Sequence, residues 1–352
     1  MVSPEDHEPY GEKPEWSDIS PVPQDEGSFV PMAPIIYGDE YKDATNYFRA
    51  ILKKGEQSKR VLDLTEHIIR MNPSHYTVWQ YRYDTLLAVK SDLDAELDMM
   101  NDIASKHLKT YQVWHHRRLL LTHLRKPRPE LVFIANALQE DAKNYHTWAY
   151  RQWILAEFND DDLWAGELAF VEKMLSEDLR NNSAWHHRFF VVFDSGVRTG
   201  DEDREVVLKR ELSFTKEKLS MAPNNASAWN FLRGVLERTG TPFSTLEGFV
   251  IPYSRPLDRS TLPTASSEAP VVDVDLENPL PSPQSQLPCP QAIEFVADIL
   301  EEKAAAGDEK ELVRSFVDQA NELYKSLATE YDTMRQRYWE FRQKEASKLI
   351  VS

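Results

Sequence analysis

Apolar residues recur three or four positions apart through most of the chain between residues 40 and 240, the spacing of amphipathic helices rather than the alternation of strands. In LDAELDMMNDIASKH (93–107) and ELAFVEKMLSEDLR (167–180) those positions share one helix face. Proline punctuates the pattern: seven of 21 lie in residues 1–40 and ten in 242–290, leaving Pro73, Pro127, Pro129 and Pro223, each between two periodic segments. A proline inside a helix costs about 3 kcal/mol, so the two proline-rich stretches exclude helical arrays and the middle permits one. The pattern predicts a disordered acidic tail over 1–36, an array of helical hairpins over 37–240 and a proline-rich extended insertion over 241–290. Capping helices follow over 291–352, where Leu312, Phe316, Leu323, Leu327, Tyr331, Met334, Tyr338 and Phe341 recur at helical spacing.

The array is a repeat. SHYTVWQYR ends at Arg82, KTYQVWHHR at Arg117, KNYHTWAYR at Arg151 and RNNSAWHHR at Arg188, with a degenerate fifth copy, NNASAWNFLR. Their tryptophans, Trp79, Trp114, Trp148, Trp185 and Trp229, stand 35, 34, 37 and 44 residues apart, about one helix-turn-helix unit each. Hairpins of that length stack into a solenoid, each burying its face against its neighbours. The expected fold is all-α, an α-α superhelix of stacked hairpins.

Composition agrees with helices and narrows the function. Eleven glycines in 352 residues is less than half the usual frequency of about 7%, too few for a fold of many tight turns. The single cysteine, Cys289, can neither close an internal disulfide nor supply the thiolates of a structural zinc site, which points to an intracellular, cytoplasmic chain. No apolar run reaches 18 residues, and the N-terminus MVSPEDHEPYGEKPEW is acidic and proline-rich, so neither a membrane span nor a targeting peptide is expected. The net charge of −17 resides in the flanks, ten acids against one base in residues 1–40, while the centre is neutral. Nucleic acid, which requires a cationic stripe, is not an expected partner.

Trp and Arg three apart lie on one helix face, and their ordinary use in a repeat is structural: the indole wedges between hairpins and the guanidinium stacks or pairs. Trp79, Trp114, Trp148, Trp185, Trp229, Arg82, Arg117, Arg151 and Arg188 are therefore expected to be scaffold. The positions five before each tryptophan differ. They are Ser74, Lys109, Lys143, Arg180 and Asn224, so three successive hairpins set a cation at a helix N-terminus, which already carries about half a positive charge. A cation there serves an anion better than it serves the helix. Three before the tryptophans stand Tyr76, Tyr111, Tyr145, Asn182 and Ala226. The pairs His115-His116 and His186-His187 lack a further ligand at helical spacing and are poor zinc sites. No phosphate loop or nucleophile elbow occurs, so no self-sufficient catalytic apparatus is expected.

These motifs resemble a known family. DAKNYHTWAYRQW around Lys143, KTYQVWHHRR around Gln112, RNNSAWHHRFFV around Trp185 and NNASAWNFLRG around Trp229 are similar to the repeats of protein prenyltransferase alpha subunits, over about residues 40–240. The branch most resembled is the one shared by farnesyltransferase and type I geranylgeranyltransferase; the Rab geranylgeranyltransferase branch and a noncatalytic repeat adaptor are the alternatives. The resemblance implies a heterodimer that transfers a farnesyl or geranylgeranyl group from its diphosphate to the cysteine of a C-terminal CaaX motif, on proteins such as small GTPases. It implies a crescent of these hairpins wrapped around a beta subunit that holds Zn2+, and leaves open whether Mg2+ accompanies the diphosphate. It assigns the Lys143 ammonium to the diphosphate and the Gln112 amide to the CaaX carboxylate, and sets Tyr145, Asn181 and Trp185 at or near the diphosphate mouth. The fifth repeat departs from the pattern, with Leu232 at the arginine position and Arg233 after it.

Overall fold

A computed structural model describes residues 8–25, 27–28, 32–198, 200–256 and 277–350. Every regular element among them is helical, and none of their helices is long and apolar enough to cross a membrane. The chain forms two compact units that divide between Phe158 and Asn159, inside the predicted array.

The first unit holds α1 (Asp39–Lys54), α2 (Lys59–Met71), α3 (Tyr76–Ala88), α4 (Leu93–Lys106), α5 (Tyr111–Leu124), α6 (Pro127–Glu140) and α7 (Tyr145–Phe158). In α1, acids open the helix and Lys53 and Lys54 close it, as the helix dipole favours. Gly55 ends it at φ 66°, a left-handed conformation that a side chain would strain. Its buried face, Ala44, Tyr47, Phe48 and Ile51, repeats at three and four residues. Beyond α1, hairpins α2/α3, α4/α5 and α6/α7 follow, and the second helix of each packs against the second helix of the next.

Residues 8–25, expected within a disordered tail, instead pack on α1 and α2: Tyr10, Trp16 and Ile19 are buried. The Trp16 ring meets Tyr10 edge-on at 5.2 Å and Tyr47 at 5.5 Å, and the Val22 N–H donates to the Asn46 carbonyl at 3.0 Å. Proline and acid excluded a helical array there, but three large apolar side chains suffice to anchor an extended segment. Residues 1–7, 26 and 29–31 of the predicted tail lie outside the described residues.

The second unit holds α8 (Asp161–Trp164), α9 (Glu167–Glu177), α10 (Asn182–Phe193), α11 (Arg204–Met221), α12 (Ala226–Thr239), α13 (Glu247–Val250), α14 (Pro290–Ala306), α15 (Lys310–Ser326) and α16 (Gln336–Lys348). Hairpins α9/α10 and α11/α12 continue the repeat within this unit. The described part of the predicted insertion is partly core: Leu246, Phe249, Val250, Tyr253 and Cys289 are buried, with Trp229 packed among Phe249, Tyr253 and Phe295, ring centres 5.8–6.3 Å apart. Residues 257–276 of it lie outside the described residues.

Residues 290–348 hold α14, α15 and α16, and their buried face differs from the one the spacing predicts. Val313, Val317, Ala320, Tyr324, Leu327, Trp339 and Ala346 form the core, while Leu312, Met334, Tyr338 and Phe341 are exposed and Phe316, Leu323 and Tyr331 only partly covered. On α15 the face turns by one residue because small and β-branched side chains admit the close approach of α14 that larger ones prevent. A π turn at Leu327–Tyr331 then resets the phase before α16.

Candidate functional site

The five repeats share one turn, built identically from backbone outward. The N–H of His75, Thr110, Asn144, Asn181 and Asn225 donates to the carbonyl three residues earlier, at 3.0–3.1 Å. Each tryptophan then locks its turn: the indole N–H of Trp79, Trp114, Trp148, Trp185 and Trp229 donates to the carbonyl six residues before it, at 2.7–2.9 Å. A buried indole needs a partner for its N–H, and this carbonyl, left free by the turn, is the one within reach. Position three before each tryptophan is thereby fixed as the first residue of the helix: Tyr76, Tyr111, Tyr145, Asn182 and Ala226.

The arginines join successive hairpins. Arg82 donates to Glu96 at 2.6–2.7 Å, Arg117 to Glu130 at 2.6–3.1 Å and Arg188 to Glu211 at 2.6–3.2 Å, all buried. Arg151 is buried and donates to the Leu131 carbonyl at 3.2 Å. In the fifth repeat Leu232 is core, and Arg233 turns to Asp298 of α14. Glu96, Glu130 and the buried Glu167 each also bind a residue two past the next tryptophan: His116 Nε2 to Glu96 at 2.9 Å, the Tyr150 hydroxyl to Glu130 at 2.7 Å and His187 Nε2 to Glu167 at 2.8 Å. Burial and the Glu130 charge hold the Tyr150 phenol well above its ordinary value. Burial drives the Glu96 carboxyl up, but hydrogen bonds from His116 and Arg82 outweigh it and bring the carboxyl to about 2. These glutamates are the residues that the repeat pattern hid. Their signal was a fixed offset, since Glu96, Glu130, Glu167 and Glu211 each stand 18 residues before a tryptophan.

With the scaffold accounted for, the helix starts of the first unit remain open. Tyr76, Tyr111 and Tyr145 are 73%, 68% and 70% exposed at equivalent positions of α3, α5 and α7. Between α3 and α5 runs a groove of about 240 Å3 lined by Tyr76, Trp79, Gln80, Tyr111, Gln112 and His115. Lys109 and Lys143 are exposed two residues ahead of the α5 and α7 tyrosines. The Lys109 ammonium stands 3.6 Å from Asp141, whose carboxylate accepts the Lys143 backbone N–H at 3.4 Å. Tyr111 meets the His146 ring edge-on at 4.3 Å. Phenol hydroxyls, ammonium groups, an amide and helix N-termini thus occur together on one unit, a set suited to anionic oxygens.

Arg180 and Asn181 belong to the second unit and are used differently. Arg180 donates to the Asn224 carbonyl at 2.8 Å. Asn181, expected near the diphosphate, is wholly buried and caps α10, accepting from the Ser183 and Ala184 N–H groups at 3.0 and 3.2 Å. In this chain the side-chain oxygen of Asn181 therefore serves as a helix cap. Trp185 is buried as well.

Among the described residues no group of three or more His, Cys, Asp or Glu could hold a metal ion. In each histidine pair the second ring is buried on a glutamate and the first is exposed on another helix face, so the pairs do not converge. The implied zinc does not fit the described side chains of this chain.

The family pattern described as protein prenyltransferase alpha subunit repeat matches residues 58–89, 93–124, 127–158, 164–194 and 208–239, one match for each tryptophan motif. The farnesyltransferase/geranylgeranyltransferase type-1 alpha subunit of Candida albicans is 31% identical over 339 residues, covering 93% of this chain and 95% of that one. Its counterpart in Schizosaccharomyces pombe is 43% identical over 229 residues, 64% of this chain and 74% of the relative. The geranylgeranyl transferase type-2 alpha subunit of Mus musculus is 31% identical over 211 residues, but these span 56% of this chain and only 37% of that one. Among solved structures, Candida albicans protein geranylgeranyltransferase-I complexed with GGPP superposes with a TM-score of 0.75 at 29% identity, over 95% of this chain and 99% of the matched one. Repeat register, helix order and coverage agree, and the chain belongs to the protein prenyltransferase alpha-subunit family.

Proposed function

We propose that this chain is the alpha subunit of a heterodimeric protein prenyltransferase that moves a farnesyl or geranylgeranyl group from its diphosphate to the cysteine of a CaaX terminus. Family membership supports a transferase subunit over a noncatalytic adaptor. The poor coverage of the type-2 relative favours the farnesyl and type-1 branch over the Rab branch. In this reading the partner is a beta subunit that holds the zinc ion, as the resemblance implies. The work of this chain is to hold the partner and to present polar groups to two anions, the diphosphate and the peptide carboxylate. Small GTPases and other CaaX proteins are the substrates in this reading, and the cytoplasm the compartment.

The observation that carries it is the alignment of exposed Lys109 and Lys143 before exposed Tyr111 and Tyr145 at two successive helix starts. As the thiolate attacks C1, negative charge grows on the departing diphosphate, and a fixed ammonium stabilises that charge more than it stabilises the ground state. Lys143 holds that role by resemblance, Tyr145 beside it, and Gln112 takes the carboxylate. One feature favours Lys109 as a second reading for the ammonium: it sits three residues before Gln112, which lines the groove, at the same helix start. Co-expression with a beta subunit, followed by transfer of labelled prenyl group to a CaaX peptide, tests the assignment; recovery of this chain as a monomer that never forms a zinc-containing pair would remove it.

A further inference from the structure

Glu130 of α6 is buried and held from both sides. Arg117 of α5 donates Nη2 to Oε1 at 2.6 Å and Nε to Oε2 at 3.1 Å, while Tyr150 of α7 donates its hydroxyl to Oε2 at 2.7 Å. One carboxylate therefore ties together the two helices whose starts carry Lys109 and Gln112 on one side and Lys143 and Tyr145 on the other. Two further links join those starts, the Tyr111–His146 ring contact at 4.3 Å and the Lys109–Asp141 ion pair at 3.6 Å. Both lie at the surface, where Lys109 is 81% exposed, and exposed pairs constrain little. The buried charge-assisted bonds to Glu130 are the stiff connection.

We infer that Tyr150 is a positioning residue for the transfer: through Glu130 it sets the start of α7 against the start of α5, so that the groups meeting the diphosphate and those meeting the peptide keep a reactive separation. This rests on the assignment of both helix starts to substrate. Two substrates held by two helices react at a rate that depends on their mutual placement, and a misplacement of about 1 Å can cost on the order of a hundredfold. Binding of either substrate alone does not depend on that placement. The repeat itself supplies the control, because His116 and His187 occupy the position of Tyr150 and make the same bond to a glutamate 20 residues earlier.

The experiment uses the assembled heterodimer and compares single-turnover transfer with the dissociation constant of the prenyl diphosphate alone. Tyr150→Phe, which removes one hydroxyl and leaves the ring, is expected to slow single turnover by about fivefold to tenfold with diphosphate affinity, assembly and melting temperature little changed. Tyr150→His is expected to return the rate to within about twofold, because the imidazole N–H can reach Glu130 as its counterparts reach theirs. A purely structural role would lower melting temperature and active fraction without slowing the active sites that remain. Wild-type single turnover in Tyr150→Phe, or a Tyr150→His rate no better than that of Tyr150→Phe, overturns the inference. Gln112→Ala, Lys143→Ala and Tyr145→Phe distinguish the two levels: if none slows transfer, the substrate assignment has failed and the inference with it, whereas if any does and Tyr150→Phe does not, only the positioning role is lost.

Discussion

Trp114 donates its indole N–H to the carbonyl of Leu108, six residues earlier, at 2.8 Å, and this bond rather than ring burial alone sets where α5 begins. Trp114→Phe keeps most of the apolar area and strands that carbonyl, so a loss of about 2 kcal/mol is expected from the unmade bond and the smaller ring. Trp114→Ala should cost about 3 to 5 kcal/mol through the cavity it leaves. Urea unfolding of the heterodimer followed by circular dichroism orders the two. Equal midpoints for the phenylalanine variant and the wild type would show that the bond contributes nothing.

Acid should weaken the first unit in two steps. Burial pushes the His116 imidazole below its ordinary 6.5, against the opposing pull of Glu96, so the unfolded chain takes up a proton that the folded chain resists. Stability therefore starts to fall as pH drops below about 6.5. The Glu96 carboxyl, held at about 2 against an unfolded value of 4.5, contributes stability present above 4.5 and lost as pH falls from there towards 2, about 3 kcal/mol in all. Melting temperatures measured at half-unit steps from pH 7.5 to 4 should decline, and His116→Gln should flatten the upper part of the curve. A flat profile in the wild type down to pH 4 would contradict both assignments.

The N-terminal segment should behave as part of the fold. Trp16 is 3% exposed, and the Arg60 guanidinium lies 5.0 Å from its ring centre while pairing with Asp18 at 2.6 Å. Trp16→Ala is expected to cost about 3 to 4 kcal/mol, the range of a buried aromatic lost from a core. Limited proteolysis gives the direct measurement: the wild type should resist cleavage near Trp16, and the alanine variant should be cut there first.

The repeat was legible because a tryptophan returns in a common motif every 34 to 44 residues, and with it came helix order, the starts of the motif helices and the structural use of Trp and Arg. Three features were not. Residues 8–25 carry prolines that exclude regular helix yet say nothing against packing, and Tyr10, Trp16 and Ile19 supply the anchorage. In α15 periodicity alone did not decide between adjacent faces, and Val313 and Val317, not Leu312 and Phe316, lead the core. Asn181 matched a motif, but the motif did not show that its side-chain oxygen caps α10 by accepting from the Ser183 and Ala184 N–H groups. The choice of lysine stayed ambiguous for a further reason: the same register places Lys109 and Lys143 one hairpin apart, and nothing in a single chain's spacing distinguishes them.

That ambiguity is open to measurement. Lys109→Ala and Lys143→Ala remove exposed side chains from equivalent turns, so neither should disturb folding or assembly, and surface substitutions of this kind fall within about 0.5 kcal/mol. The lysine that faces the leaving diphosphate should cost about 2 to 4 kcal/mol of transition-state stabilisation when removed, a fall of about thirtyfold to several hundredfold in single-turnover rate, because a preorganised donor acts most strongly on charge that develops during reaction. The other should change the rate by less than about threefold. Raising ionic strength separates a direct contact from a long-range field, since beyond about 8 Å physiological salt screens exposed charges while a lysine in contact with the diphosphate keeps its effect. A large loss in Lys143→Ala would uphold the role given to it by resemblance; a large loss in Lys109→Ala alone would move the ammonium one hairpin back, beside Gln112, and leave the α7 start to Tyr145.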